Sequence, residues 1–384
     1  MQFEFATAGR IISGAGTIKQ VGAIVKSFGR RALVVTGRNP QRAEKLLANL
    51  STNGIGAATF PVAGEPEIAT VEQGAAFAKK EHCDFVIGIG GGSALDAAKA
   101  MAAMLTNDGS LLDYLEIIGR GQELTRPSAP FIAIPTTAGT GSEVTRNAVL
   151  ASPEHKVKIS LRSPLMLAKM AVVDPELTYD LPPALTASTG LDALTQLIEP
   201  FVCNRANPMT DGLCAEGLRR AARSLRVAFG SGQNQPARED MAVASLLGGL
   251  ALANAGLGAV HGFAGPIGGS FPAPHGAICA ALLPHVMGAN LQALRQRAPG
   301  SEALRRYDEV ARLLTGNVQA AADDGVTWVH KLVRDMQIPR LGTYGIKSEH
   351  IAELGRKSTQ ASSMRANPIT LTSEELVDTL RQAL

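Results

Sequence analysis

Aromatic residues are scarce in this chain: they make up 4% of 384 residues, with one Trp and four Tyr. Base-stacking surfaces for single-stranded nucleic acid need repeated aromatic platforms, so that partner is disfavoured. Charge of one sign is lacking too. The 37 Lys and Arg against 34 Asp and Glu leave a net charge of +3, with no dense basic block. Nucleic acid and membrane surfaces are therefore poor candidates for the main partner. No run of about 18 apolar residues occurs, so no membrane span is expected. The opening MQFEFATAGRII lacks a basic start, an apolar core and a cleavage site, so no signal peptide is read there. Cysteine is sparse. Cys83, Cys203, Cys214 and Cys279 form no CxxC pair and are irregularly spaced. Buried reduced thiols are expected rather than a disulfide frame or zinc knuckle. Together these absences point to the cytoplasm.

What is present is a globular composition, 45% hydrophobic and 18% charged, over a length that favours two domains. The first half alternates strand and helix signals. Apolar β-type runs at 32–35, 57–62, 85–89 and 131–134 are separated by helical stretches at 41–50, 70–80 and 93–105. Such alternation implies βαβ units and a parallel sheet flanked by helices. Three more β-like segments follow, at 147–151, 156–160 and 171–173. After Pro182 the texture changes to Ala/Leu-rich helical segments at 186–200, 208–228, 239–256, 276–295, 302–315, 323–336 and 373–384. The expected fold is an α/β dinucleotide-binding domain over 1–181 and a helical bundle over 182–384. The stretch 256–274, rich in Gly and Pro but interrupted by His261, reads as a functional loop.

Two segments carry a phosphate-binding signal. Gly88-Ile-Gly-Gly-Gly-Ser93 follows a buried-strand pattern and opens a helix. Gly90, Gly91 and Gly92 allow close backbone approach to a ligand, and a helix N-terminus offers free N–H groups to a pyrophosphate. Ser93 is placed to cap that helix, with Asp96 completing a box-like pair. The second segment is Pro135-Thr-Thr-Ala-Gly-Thr-Gly-Ser-Glu-Val-Thr145. Its hydroxyls, on Thr136, Thr137, Thr140, Ser142 and Thr145, suit a nicotinamide-side groove. Both loops follow predicted strand C-termini, where open α/β sheets bind ligands.

A second constellation lies in the helical half. Asp192 and Gln196 share one helix face at i, i+4. Downstream stand His261, in Ala-Val-His-Gly, and His275, in Pro-His-Gly. One carboxylate and two imidazoles form a reasonable set for divalent Fe or Zn with an open position. His285 reads as structural, and His82, His155, His330 and His350 as surface residues.

Taken together, GGGSALDAAK, PTTAGTGSEVT, Asp174-Pro175, GLDALTQLIE, VHGFAGPIG, PHG and Asn367-Pro368 resemble the iron-containing (group III) alcohol dehydrogenases. The longer signature through Asp174, Pro182, Asp192 and Glu199 also fits in spacing, and the resemblance spans essentially the whole chain. It implies a Rossmann-like N-terminal nucleotide-binding domain and an all-α C-terminal domain, the fold shared with dehydroquinate synthase. It also implies a metal site in the cleft between them and a homodimer or larger assembly. Asp192, His261 and His275 match three of the family's four metal ligands. Gln196 stands where the fourth, a His, is usual; its amide oxygen, a weaker and neutral donor, completes the expected metal set of Asp192, Gln196, His261 and His275 or holds a bound water, which opens the question of which metal is held. Gly265 stands where many relatives carry a His near the nicotinamide. Lys158 matches a residue near the nicotinamide ribose. Relatives that prefer NAD often have Asp after the second strand. This chain has Gly37, then Arg38, with Arg42 a turn later, which favours the 2′-phosphate of NADP over NAD.

The function implied is metal-assisted hydride transfer between a small alcohol or aldehyde and NAD(P). Two alternatives stand beside it. One is a metal-free reductase resembling maleylacetate reductases; the other is a catalytically silent nucleotide-binding protein on the same fold.

Overall fold

In the computed structural model, which describes residues 2–155 and 157–384, the chain divides into two compact units. One comprises Ala6–Thr137 and Gly141–Tyr179; the other comprises residues up to Phe5, Ala138–Thr140 and Asp180–Leu384.

The first unit is built on a six-stranded sheet. In chain order its elements are β1 (Ile11–Ser13), α1 (Val21–Ile24), β2 (Arg31–Thr36), α2 (Glu44–Thr52), β3 (Gly56–Pro61), α3 (Ile68–Lys80), β4 (Phe85–Gly90), α4 (Gly92–Thr106), α5 (Leu111–Tyr114) and β5 (Phe131–Pro135). A hairpin of β6 (Asn147–Ser152) and β7 (Val157–Arg162) follows, then β8 (Met170–Val173). The sheet order is β1-β8-β5-β4-β2-β3, and every pairing is parallel. Strands β4, β5 and β8 are buried at every position. They therefore read as continuous apolar runs rather than alternating ones, as strands covered on both faces do. The expected strand from 156 begins on a residue outside those described; β7 is seen from Val157. The short strand β1 escapes sequence reading because three residues carry no usable period.

Chain direction reverses beside β2. From β2 the chain moves outward to β3, then crosses back to β4 on the other side of β2. The C-terminal ends of β2 and β4 thus flank a topological switch point, where open α/β sheets leave a crevice.

The second unit is helical: α6 (Pro183–Val202), α7 (Pro208–Gly230), α8 (Gln235–Asn254), α9 (Ala259–Ser270), α10 (His275–Arg297), α11 (Glu302–Thr315), α12 (Ala322–Asp335), α13 (Ile351–Ser358) and α14 (Ser373–Ala383). Its core centres on α6, which is buried on all sides from Gly190 to Val202. Helix α10 is long and apolar enough by composition to cross a membrane, but 78% of its most apolar window is buried inside the fold. It is a core helix.

The stretch 256–274, expected as a loop, is mostly α9. Its glycines and Pro266 are poor helix formers in isolation. Here Val260, Phe263, Ala264 and Ile267 are buried, and tertiary packing outweighs propensity. Pro266 lies inside this helix and removes the hydrogen bond to the carbonyl of residue 262.

Candidate metal centre and coenzyme loops

Three helices bring the metal-site residues together. Asp192, Gln196 and Glu199 project from one face of α6, and all three are buried. Helix α9 supplies His261 from its first turn. That turn lacks a side-chain cap of its own. Instead, Val260 N–H donates to Glu199 Oε1 (2.7 Å), and Ala259 N–H donates to Asn367 Oδ1 (3.1 Å). A carboxylate on the free N–H groups of a helix start is favoured electrostatically. Gly258 is required there, since a Cβ would sit 2.8 Å from Glu199 Oε1. Glu199 Oε2 also lies 2.6 Å from His261 Nδ1, so one carboxylate both anchors the helix and orients the imidazole.

Helix α10 begins at His275. A Cβ on Gly276 would come within 2.6 Å of Ser188 O and 3.5 Å of Asp192 Cβ. The glycine lets α10 press onto α6, which sets His275 and, one turn on, Cys279 beside Asp192.

The resulting constellation is tight. Asp192 Oδ1 is 3.5 Å from His261 Nε2 and 3.7 Å from His275 Nε2. The ligand atoms of Asp192, His261, His275 and Cys279 all lie within 4.8 Å of one another. Asp192 Oδ1 and Gln196 Oε1 are buried with no hydrogen-bond partner. Buried polar atoms are rarely left so, and converging lone pairs with orphaned oxygens are what a cation would satisfy. The residues fit a divalent metal.

The electrostatics agree. Burial alone would raise the Asp192 pKa, but the neighbouring His275 and His261, with a hydrogen bond from Gln196, hold it below the usual carboxylate range. Burial would lower both histidines, yet Cys279 and Glu199 raise His261 well above its usual value, and Cys279 and Asp192 raise His275 to about 9.

The candidate coenzyme loops meet at the switch point. Gly37 follows β2, and Gly90 ends β4. A Cβ on Gly90 would lie 2.6 Å from Ala94 Cβ and 3.4 Å from Gly37 N. Thr136 N–H donates to Gly90 O (2.8 Å), and a Cβ on Gly91 would touch Thr137 at 3.5 Å. So Gly37, Gly90, Gly91, Thr136 and Thr137 form one cluster, with Gly92 and Ser93 opening α4 beside it. Thr36 Oγ1, at the end of β2, is buried without a partner. These bare backbones and the open helix start suit a pyrophosphate.

Other expected residues are turned elsewhere. Helix α4 is capped at Gly91 with no side-chain bond, so Ser93 and Asp96 form no capping box. The reason is tertiary. Asp96 accepts from Ser142 Oγ (2.5 Å) and Val149 N–H (2.9 Å). Ser142 and Thr145 are drawn onto the fully buried Lys99, whose ammonium donates to Ser142 O, Thr145 Oγ1 and Asn147 O at 2.7–2.9 Å. Burial lowers the Lys99 pKa to about 8 and raises that of the adjoining Glu143 to about 7. This network braces the loop. Thr140 belongs with the helical unit, where its neighbour Gly139 packs on Thr189. Arg38 Nε donates to Ala63 O (3.1 Å), and Lys158 pairs with Glu65 (3.0 Å), both on the segment after β3. A Cβ on Gly265 would meet nothing within 4 Å.

Sequence reasoning left three residues without a role here. Lys99 carries no motif signal as a brace, Glu199 enters only through the family signature, and Cys279 reads as a buried reduced thiol. The i, i+4 spacing of His275 and Cys279 was the available clue.

The iron-containing alcohol dehydrogenase family model matches residues 8–175, and the C-terminal domain model of the same family matches residues 186–384. Alcohol dehydrogenase 4 of Saccharomyces cerevisiae is 36% identical over 379 residues, covering 96% of this chain and 95% of the yeast protein. The NAD-dependent methanol dehydrogenase of Bacillus methanolicus is 33% identical over 384 residues, covering 97% of each. A crystal structure of a 1,3-propanediol oxidoreductase superposes with a TM-score of 0.93 at 35% identity, covering 100% of both chains. The chain belongs to the iron-containing alcohol dehydrogenase family and is an oxidoreductase acting on CH–OH groups.

Proposed function

We propose that this chain interconverts a small primary alcohol or diol and its aldehyde, using NADP or NAD, with a divalent metal bound at Asp192, His261 and His275. The observation that carries the reading is the orphaned, buried Asp192 Oδ1, which lies 3.5 and 3.7 Å from two imidazole Nε2 atoms. The similarity to alcohol and methanol dehydrogenases supports the substrate class.

When bound, Fe2+ or Zn2+ would supply Lewis acidity that eases loss of the hydroxyl proton or polarises a carbonyl. The nicotinamide supplies the hydride acceptor or donor. The chain does the rest. Asp192 contributes negative charge without a competing hydrogen bond on Oδ1. Glu199 accepts the His261 Nδ1 proton and so directs the Nε2 lone pair toward Asp192. Gln196 donates to the Asp192 carboxylate, and its own oxygen is buried without a partner. Gly90, Gly91, Gly92 and Ser93 offer backbone N–H groups to the pyrophosphate, and Thr136 and Thr137 hold the adjoining wall. Asp96, Ser142 and Thr145 act through Lys99 by bracing that wall. Gly37 and Arg38 bear on the ribose, and Arg38 favours NADP. Lys158, held by Glu65, and Thr140 complete the proposed set. We place the enzyme in the cytoplasm as a homodimer or larger homo-oligomer.

The test is metal analysis of chain purified without chelator, with turnover of short alcohols and aldehydes measured before and after EDTA. About one Fe or Zn per chain, with activity lost on chelation and restored on reloading, is expected. Undiminished turnover with no metal would move the reading to a metal-free reductase.

A further inference from the structure

The usual fourth imidazole of such a site is missing in this chain, where Gln196 stands on α6. A different donor faces the same point from α10. Cys279 is fully buried. Its Sγ lies 3.6 Å from His275 Nε2 and 3.9 Å from His261 Nε2. Metal–ligand lengths of about 2.3 Å to sulfur and about 2.0 Å to nitrogen or oxygen give tetrahedral N···S edges of roughly 3.5 Å and N···O edges of roughly 3.3 Å. The observed N···S separations, and the Asp192 to histidine separations of 3.5 and 3.7 Å, sit close to both.

We propose that Cys279 is a protein ligand of the bound metal, as a thiolate, so that the donor set is Asp192, His261, His275 and Cys279. This rests on the reading of the site as a metal centre.

A plain buried thiol accounts poorly for the surroundings. Glu199 Oε2 lies 2.6 Å from His261 Nδ1, so Nε2 is the ring nitrogen turned toward Asp192. His261 Nε2, Asp192 Oδ1 and His275 Nε2 all converge on Cys279 Sγ, and a thiol has one proton to give. Asp192 Oδ1 stays unsatisfied at 1% residue exposure. One dication satisfies the carboxylate, both imidazoles and the sulfur at once. Two anionic ligands, Asp192 and Cys279, also neutralise its charge in a buried place, which burial of an ion demands. Thiolate with imidazole is a softer set than imidazole and carboxylate alone, and it favours Zn2+ over Fe2+.

The experiment is cobalt substitution of the intact chain, read by absorption. The expected result is one cobalt per chain with a near-ultraviolet thiolate-to-cobalt charge-transfer band, lost in Cys279→Ser while the visible cobalt bands persist. Gln196→Ala keeps the band. Cobalt bound without the charge-transfer band overturns the thiolate ligand but leaves the metal centre standing; failure to bind cobalt or zinc at all overturns both. Zinc-edge X-ray absorption of the unsubstituted zinc-loaded protein decides the case independently of how the variant folds. A sulfur neighbour at about 2.3 Å supports the assignment, and a shell of nitrogen and oxygen alone rejects it.

Discussion

Glu199 Oε2 lies 2.6 Å from His261 Nδ1, while its other oxygen takes the Val260 N–H at the start of the same helix. One side chain on α6 thus sets the position of α9 and the orientation of its imidazole. Carboxylate partners of this kind hold a ligand's tautomer and strengthen it as a donor. Glu199→Gln keeps the shape but loses the charge. It should weaken metal binding by about 10- to 100-fold, measured by competition with a chelator of known affinity. Affinity equal to that of the unsubstituted protein would mean Glu199 serves only the helix.

Coenzyme choice is testable at Gly37. No heavy atom lies within 4 Å of a Cβ built there, so a side chain enters without repacking. Gly37→Asp places a carboxylate at the end of β2, where it would accept from a ribose 2′-hydroxyl and repel a 2′-phosphate. The ratio of kcat/KM for NADP to that for NAD should fall by about tenfold or more, the effect of roughly 1.4 kcal/mol. An unchanged ratio would remove this strand end from the ribose site.

Acid sensitivity should arise far from the metal centre. His285 on α10 accepts no easy charge: burial, and then the neighbouring His330, lower its pKa to about 4. The rings of these two histidines are 5.1 Å apart. An unfolded imidazole protonates near pH 6.5, so the unfolded state takes up the proton first. The contribution is intact above about pH 6.5 and is lost as pH falls toward about 4. Urea midpoints at pH 7 and pH 5 should therefore differ less for His285→Asn than for the unsubstituted chain. Equal differences would acquit His285.

Much of the architecture was legible because its signals are local. The runs at 85–89 and 131–134 are short, apolar and bounded by Gly or Pro, and they became β4 and β5 at full burial. The Ala/Leu segments became α6 to α8 and α10 to α12, with Pro at the first turn of α6, α7 and α8 as a readable start signal. Helix α9 was not legible, because its glycines and Pro266 argue against a helix and only Glu199, Asn367 and its buried apolar face argue for one. Asp96 misled for a related reason. Its spacing from Ser93 matches a capping pair, but Ser142 and Val149 on distant segments claim its carboxylate.

The order of residue types along this chain determined its strands, most of its helices, the two glycine-rich loops and the identities of Asp192, His261 and His275. These depend on periodicity, backbone freedom and short spacings, which act between near neighbours. Tertiary structure alone decided that Glu199 orients His261, that Lys99 braces the loop through Ser142 and Thr145, and that Cys279 shares a point with Asp192. Those relations join residues 43 to 87 positions apart, from Lys99–Ser142 to Cys279–Asp192. They rest on distances of a few ångströms that no local pattern encodes.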